Sequence, residues 1–207
     1  MKGNQSSSVP CFIAHRVNTS HELRNVPTRY GLEVDIRSSG SHLVLQHEPF
    51  QPGEKFEDWL SQYHHGVLVL NIKEAGLESE AIRLAQLGGV KDFFLLDVEF
   101  PYLYRASRSG EKRIAVRFSE DESIRTVEKY QGLVNWVWID TLTELPIGET
   151  TIPLLRSFRS CLVCPERWGR PEDIAGYAER MKRMSYLPDA IMTSLRCIPT
   201  WIREFSA

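Results

Sequence analysis

CFIAHR (11–16), GLEVDIR (31–37) and GVLVLNIK (66–73) decide how this chain reads. Each is of strand length, rich in β-branched residues and apolar on both faces for most of its course. Strands read this way when helices cover one side and a core fills the other. The same kind of run recurs at DFFLLDVE (92–99), RIAVRF (113–118), VNWVWIDT (134–141), SCLVCPE (160–166) and DAIMTSL (189–195). Helical patterns fall between them, most clearly at 54–64, 78–89, 120–132 and 171–184. The last opens with Pro171 and an acidic first turn, and the second ends in Gly88-Gly89, a start and a stop signal. The connections after the first and fourth runs look short enough for a turn or two.

Eight strands alternating with helices predict a parallel sheet with right-handed crossovers, and eight units predict a compact (β/α)8 TIM barrel. At 207 residues the chain is near the lower limit for that fold, so some helices must be reduced. An open doubly wound sheet competes, but it usually carries a Gly-rich phosphate loop after its first strand. The first strand here ends in His15-Arg16-Val17-Asn18.

Hydrophobic residues make up 42% of the chain and charged residues 25%, enough apolar material to exclude disorder as the main state. The formal net charge of -2 argues against a strongly basic nucleic-acid binder. No apolar run approaches the roughly 20 residues that span a bilayer. The first residues, MKGNQSSSVP, lack the apolar stretch of a secretory signal, which points to a cytoplasmic location. Residues 1–10 are expected to be a disordered tail and 11–207 a single domain. Cys11, Cys161, Cys164 and Cys197 are too few for a disulfide scaffold. Cys161 and Cys164 lie three apart in a strand, on opposite faces, and read as core thiols rather than half a zinc site.

Polar groups gather where the apolar runs end. His15 and Arg16 close the first, while Glu33 and Asp35 lie two apart on one face of the second. His47 follows a turn-rich break and the run LVLQHE; Asn71 and Lys73 share a face at the end of GVLVLNIK. In a barrel such ends converge on one mouth, where catalytic sites are built. Unpaired carboxylates inside a strand are costly, so Glu33 and Asp35 must meet a cation: Arg37, Lys73, or a hard metal such as Mg²⁺ or Ca²⁺. Two imidazoles near one another serve as general acid and base near neutral pH. His21, His42, His64 and His65 read as structural or exposed. Trp136 and Trp138 read first as core, with a pocket wall as the alternative.

Taken together, IAHR, GLEVDIR, LVLQHEPF and LNIK resemble the glycerophosphodiester phosphodiesterase family, a branch of the phospholipase-C-like phosphodiesterase barrels. The resemblance covers residues 11–73, and PDAIMTS (188–194) is similar to the family's closing strand. It implies His15 and His47 as the acid/base pair, with Arg16 and Lys73 on the substrate phosphate. Lys73 would also stabilise the transition state. Glu33, Asp35 and the residue at 71 would hold a divalent cation. It allows a substrate hydroxyl to attack first and form a cyclic phosphate. Departures are specific. Val17 replaces a glycine, and His15-x-Val17-Asn18 is closer to the sphingomyelinase D branch. Glu48 replaces an aspartate, Asn71 replaces the third metal carboxylate, and Ser194 replaces a closing aspartate. Asn71 predicts weaker metal binding, or help from Asp97 or Glu99.

The expected function is metal-dependent hydrolysis of a small polar phosphodiester, without nucleic acid or a membrane span. A catalytically weakened barrel that binds phosphorylated ligands is the alternative. A sugar-cleaving barrel using Glu33 and Asp35 ranks last, since both carboxylates would sit on one side of the scissile bond. Substrate-reading residues are expected in 48–58, 100–112 and 143–153, where Tyr102, Tyr104, Arg105 and Arg108 form a possible anion clamp.

Overall fold

The structure is a computed structural model that describes residues 9–206. The tail expected over 1–10 falls outside it except for Val9 and Pro10, and Pro10 is buried. Ten strands follow in chain order: β1 (Cys11–Ala14), β2 (Gly31–Ser39), β3 (His42–Leu45), β4 (Glu54–Lys55), β5 (Leu68–Ile72), β6 (Phe93–Leu96), β7 (Ala115–Phe118), β8 (Trp136–Ile139), β9 (Arg159–Val163) and β10 (Ala190–Thr193). The helices are α1 (Ser20–Asn25), α2 (Phe56–Leu60), α3 (Glu78–Leu87), α4 (Phe100–Arg108), α5 (Ile124–Lys129), α6 (Ile152–Leu155), α7 (Asp173–Arg183) and α8 (Ile198–Ser206).

All eight runs expected as strands form β1, β2 and β5 to β10, and they pair in parallel in the order β6-β5-β2-β1-β10-β9-β8-β7. The first and last strands of the series lie side by side, with Ala14 level with Thr193. The sheet is curled, and its outer strands β6 and β7 meet at one isolated bridge, Leu95 to Ile114. The continuous ladder expected of a closed barrel stops there. Asp97 turns into the left-handed region (φ 58) directly after β6, and the Arg117 guanidinium on β7 binds the Asp97 carboxylate at 2.8 Å.

Alternation along these strands separates two cores. Ile13, Val69, Phe94, Trp136, Trp138 and Met192 point to the concave interior and pack together there. Phe94 and Trp136 stack with ring centroids 4.3 Å apart. Both tryptophans are therefore buried in the core. Leu32, Leu70, Trp59 and Trp201 belong to the outer core, between sheet and helices. Cys161 faces the inner core and Cys164 the outer, as their spacing requires.

β2 is the longest strand. Its first half pairs with β1 and β5, and its second half leaves the ring to form a hairpin with β3. The helices depart more from expectation. α2 and α5 are shorter than their patterns, and the connection after β6 holds the nine-residue α4 rather than a turn or two. Pro101 near the start of α4 marks a helix start, because the missing N–H would have had no partner there. A capping box opens α1: the Thr19 side chain accepts from the Glu22 N–H, and the Glu22 carboxylate accepts from the Thr19 N–H.

Replacing Phe94 by Ala should cost about 3–5 kcal/mol, because a fully buried ring is lost from the packed inner core. Urea unfolding followed by tryptophan emission will read this directly through the lost partner of Trp136.

Candidate active site

The site begins as a problem of buried charge. Glu33 and Asp35 point from β2 into the interior, and both are fully buried. Every neighbour that answers them comes from a strand end on the same side of the sheet. After β1 the chain turns sharply, with Arg16 in the left-handed region (φ 53), a conformation costly for a non-glycine residue. That turn aims the Arg16 backbone N–H at Glu33 Oε2, 2.8 Å away. Two residues on, Asn18 grips Asp35 twice. Its Nδ2 donates to Asp35 Oδ2 at 2.8 Å, and its Oδ1 accepts the Asp35 N–H at 2.9 Å. From β5, Asn71 Nδ2 donates to Glu33 Oε1 at 2.8 Å, and Lys73 Nζ lies 3.1 Å from Asp35 Oδ1. Asn71 stands level with Asp35 in the β2–β5 ladder, so register alone brings the amide beside the carboxylates.

The two histidines enter from different elements. His15 follows β1, with Nε2 3.9 Å from Glu33 Oε2. His47 follows β3, on the hairpin that β2 extends. Its Nε2 faces the Arg16 guanidinium at 2.5 Å and its Nδ1 faces Glu48 Oε1 at 2.6 Å. Arg16 can only donate, so Nε2 accepts and Nδ1 carries the proton that Glu48 receives. Glu48 thus orients His47 from the position where the resembling family carries aspartate. Arg37 is not the partner of Asp35. Its Nε donates to the His47 backbone oxygen at 3.0 Å and its Nη1 binds Glu74 at 3.1 Å, tying the hairpin to the end of β5.

Burial pushes the His15 pKa down to about 3, helped by the positive charges of Arg167 and Arg16. His15 is therefore a neutral imidazole at pH 7. Glu33 is displaced upward by burial and by Asp35 beside it, and the donors from Asn71 and Arg16 only partly offset this.

Oxygen is the only donor type in the set Glu33, Asp35 and Asn71. Asp35 Oδ1 and Asn71 Oδ1 are buried without a hydrogen-bond partner, Asp35 Oδ1 having only the Lys73 ammonium beside it. Such a set fits a hard divalent cation. Among the described residues no group of three or more His, Cys, Asp or Glu is placed to hold a metal. The third member here is an amide. Asp97 and Glu99 do not supply the missing charge, since Asp97 is bound to Arg117 and Glu99 is exposed at the start of α4. Arg117, Asp97 and Asp140 make a separate network at the ends of β6, β7 and β8. Tyr102, Tyr104, Arg105 and Arg108 lie on α4 rather than in a loop, and there Arg108 packs over the Tyr104 ring.

Two contributors escaped the sequence reading. Asn18 was visible only as a residue three beyond His15. Arg167 stands in the turn after β9, within the electrostatic reach of His15.

No family model matches the sequence, and no curated protein matches it. Solved structures match the fold over nearly its whole length. A protein of Agrobacterium tumefaciens assigned as a glycerophosphoryl diester phosphodiesterase superposes with a TM-score of 0.69 at 9% identity, covering 96% of this chain and 100% of that one. A glycerophosphodiester phosphodiesterase from the same organism gives 0.65 at 11% identity, covering 94% and 100%. An Oleispira antarctica phosphodiesterase, solved with the product sn-glycerol-3-phosphate, gives 0.63 at 16% identity, covering 94% and 97%. The chain is a parallel α/β protein with its polar site at the carboxyl ends of the strands. Its fold is that of the glycerophosphodiester phosphodiesterases.

Replacing Asn18 by Ala strands both the Asp35 carboxylate and its N–H, and should cost about 1–3 kcal/mol in urea unfolding. His15 gives a signed pH dependence. Its folded pKa lies below the unfolded value, so the unfolded chain alone takes up a proton as pH falls from about 6.5 toward 3. Stability should therefore decline over that window, and His15→Asn should flatten the decline by close to one proton.

Proposed function

We propose that this protein is a phosphoric diester hydrolase acting on a glycerophosphodiester or a similarly polar small phosphodiester. The observation that carries the reading is one connected set of side chains, His15, Arg16, Glu33, Asp35, His47 and Lys73, at one end of a fold shared with enzymes of that class. The glycerol phosphate bound by the Oleispira phosphodiesterase supports a ligand of that size and charge. We read the eight parallel strands as a (β/α)8 barrel whose seam lies between β6 and β7.

Arg16 and Lys73 are the cations placed to receive a phosphate. In the present arrangement Arg16 donates to His47 Nε2, the nitrogen a catalytic imidazole uses. A phosphodiester that draws the guanidinium onto its own oxygens would free that nitrogen, so binding and activation of the base are one event. His15 and His47 then act as the acid/base pair: one, as a neutral imidazole, takes the proton of the attacking hydroxyl or water, and the other, neutral in the free site, takes up a proton beside the negative charge of the bound phosphodiester and gives it to the leaving alcohol. Glu48 keeps His47 in the tautomer whose Nε2 is unprotonated. Glu33, Asp35 and Asn71 would hold Mg²⁺ or Ca²⁺, which when bound supplies Lewis-acid stabilisation of charge on the phosphoryl oxygens. Asn71 brings no charge and already donates to Glu33, which favours weak metal binding. That observation also supports a second reading, a barrel that binds phosphorylated ligands without turnover. On either reading the ligand is a small molecule rather than nucleic acid, and a cytoplasmic location fits it. Among the described residues no helix is long and apolar enough to cross a membrane.

Hydrolysis of bis-p-nitrophenyl phosphate and of glycerophosphodiesters, with Mg²⁺, Ca²⁺, Mn²⁺ or EDTA, tests the proposal. Turnover should require a metal and fall by about 10²–10⁴-fold in His15→Ala and in His47→Ala. Folded protein that binds glycerol phosphate and turns over neither substrate with any metal supports the binding reading instead.

A further inference from the structure

His47 stands one residue past the point where backbone pairing in its hairpin ends, at the bond from Gln46 N–H to Asp35 O of 3.0 Å. From there side chains do the holding. The His47 carbonyl accepts from Arg37 Nε at 3.0 Å, and Arg37 Nη1 meets Glu74 Oε1 at 3.1 Å. Glu74 Oε2 in turn accepts the Ser38 N–H at 3.1 Å and the Ser38 hydroxyl at 2.5 Å. Glu74 lies where β5 stops pairing with β2: Ile36 and Ile72 are the last register pair, and the Lys73 N–H still reaches the Ile36 oxygen. One residue later the Glu74 carboxylate carries the join onward by side chain. A strap thus runs from the end of β5, through Arg37, to the backbone of His47. Bonds from Ser38 and Arg37 hold the Glu74 carboxyl below the usual carboxylate range, so it is an anion at neutral pH. Arg37 has a rival partner close by. Asp35 is two residues back on the same face of β2 and is already answered by Asn18 and Lys73. The Arg37 side chain is only 15% exposed, so without Glu74 its charge has little water to answer it and Asp35 is the next carboxylate along that face. Glu74 therefore turns the guanidinium toward the hairpin and away from the buried pair.

We propose that Glu74 is a positioning residue for the acid/base chemistry: acting through Arg37, it sets where the His47 imidazole stands over the site. The chemistry rests on the phosphodiesterase reading; the placement of the ring does not. Arg16 and Glu48 fix the tautomer and tilt of the imidazole, and the strap fixes the backbone from which it hangs. Glu74 also follows Lys73 directly in the chain, so an effect on the imidazole has to be separated from one on the ammonium.

Double variants make that separation. With bis-p-nitrophenyl phosphate, Glu74→Ala should lower kcat by about 10–10²-fold and leave KM near that of the parent, the loss expected when a catalytic group is slightly misplaced. Arg37→Lys should behave alike, since it keeps the charge but not the fork that reaches two acceptors. Glu74→Gln, which keeps an oxygen for the guanidinium, should recover most of the loss. In a His47→Ala background Glu74→Ala should cost nothing more, because the group it places is gone, whereas in a Lys73→Ala background the two losses should multiply. Losses that multiply with His47→Ala overturn the proposal, as does a Glu74→Ala that turns over at the parent rate. A second readout needs no turnover. The His47 Cε1–H signal in a proton–carbon correlation spectrum, assigned by its absence from His47→Gln, should move or broaden in Glu74→Ala and return in Glu74→Gln. A signal that stays in place overturns the proposal. Urea unfolding shows whether each variant is folded; should Glu74→Ala not fold, Ser38→Ala removes one bond to the same carboxylate and should give a smaller loss of the same kind. A parent without turnover whose His47 signal moves in Glu74→Ala refutes the enzymatic reading alone. Turnover with an unmoved signal refutes the positioning alone.

Discussion

The structure depends on keeping two carboxylates dry. Glu33 and Asp35 are side by side in the wall of the interior, and an uncompensated charge there costs several kcal/mol. Each compensation fixes a piece of architecture. Arg16 is bent into a left-handed turn so that its N–H reaches Glu33. Asn18 locks the loop after β1 onto Asp35 by two bonds, and Asn71 and Lys73 fix β5 against β2 from the other side. The carboxylates thus organise three strand ends before any ligand arrives. The strain at Arg16 accompanies a backbone donor that no side chain in the vicinity replaces.

The same strand carries a second task. β2 runs past its ring partners and becomes one arm of the β2–β3 hairpin, which delivers His47 over the mouth. Arg37, still on β2, holds the His47 backbone oxygen and Glu74 together. His47 is therefore referenced to the carboxylates through a single stretch of backbone, although it lies outside the ring. Glu48 completes it by setting the tautomer. A glutamate reaches farther than an aspartate, and this hairpin accommodates the longer side chain at 2.6 Å.

The strands were legible because burial on two faces leaves continuous apolar runs, and all eight appear within a few residues of where the runs lie. Helices were less legible. α1, α4, α6 and α8 are short or mix aromatic with polar residues, and tertiary packing rather than period holds them. The closed ladder was expected from counting, but counting strands says nothing of the backbone at Asp97, where the ladder stops. In the site, strand-face arithmetic placed Glu33 with Asp35 and Asn71 with Lys73. It could not show that Asn71 would spend its amide N–H on Glu33, or that Arg16 would face His47, because both choices depend on rotamers across strands. Asn18 was missed for the same reason. Its role exists only once β1 and β2 are adjacent.

The pairing of β1 with β10 has a consequence for how the molecule comes into being. The residues that make up the site nearly all lie between His15 and Lys73 and are synthesised long before β10. Yet the wall behind His15 is β10, made after every other described strand, and the His15 N–H is bonded to the Thr193 oxygen. Until that strand emerges from the ribosome, β1 is a bare edge with half its backbone groups open to any other extended segment. A nascent chain of this protein therefore carries its chemistry early and its shelter late. Its most vulnerable interval is set by translation of the strands between β2 and β10, none of which pairs with β1 in the sheet.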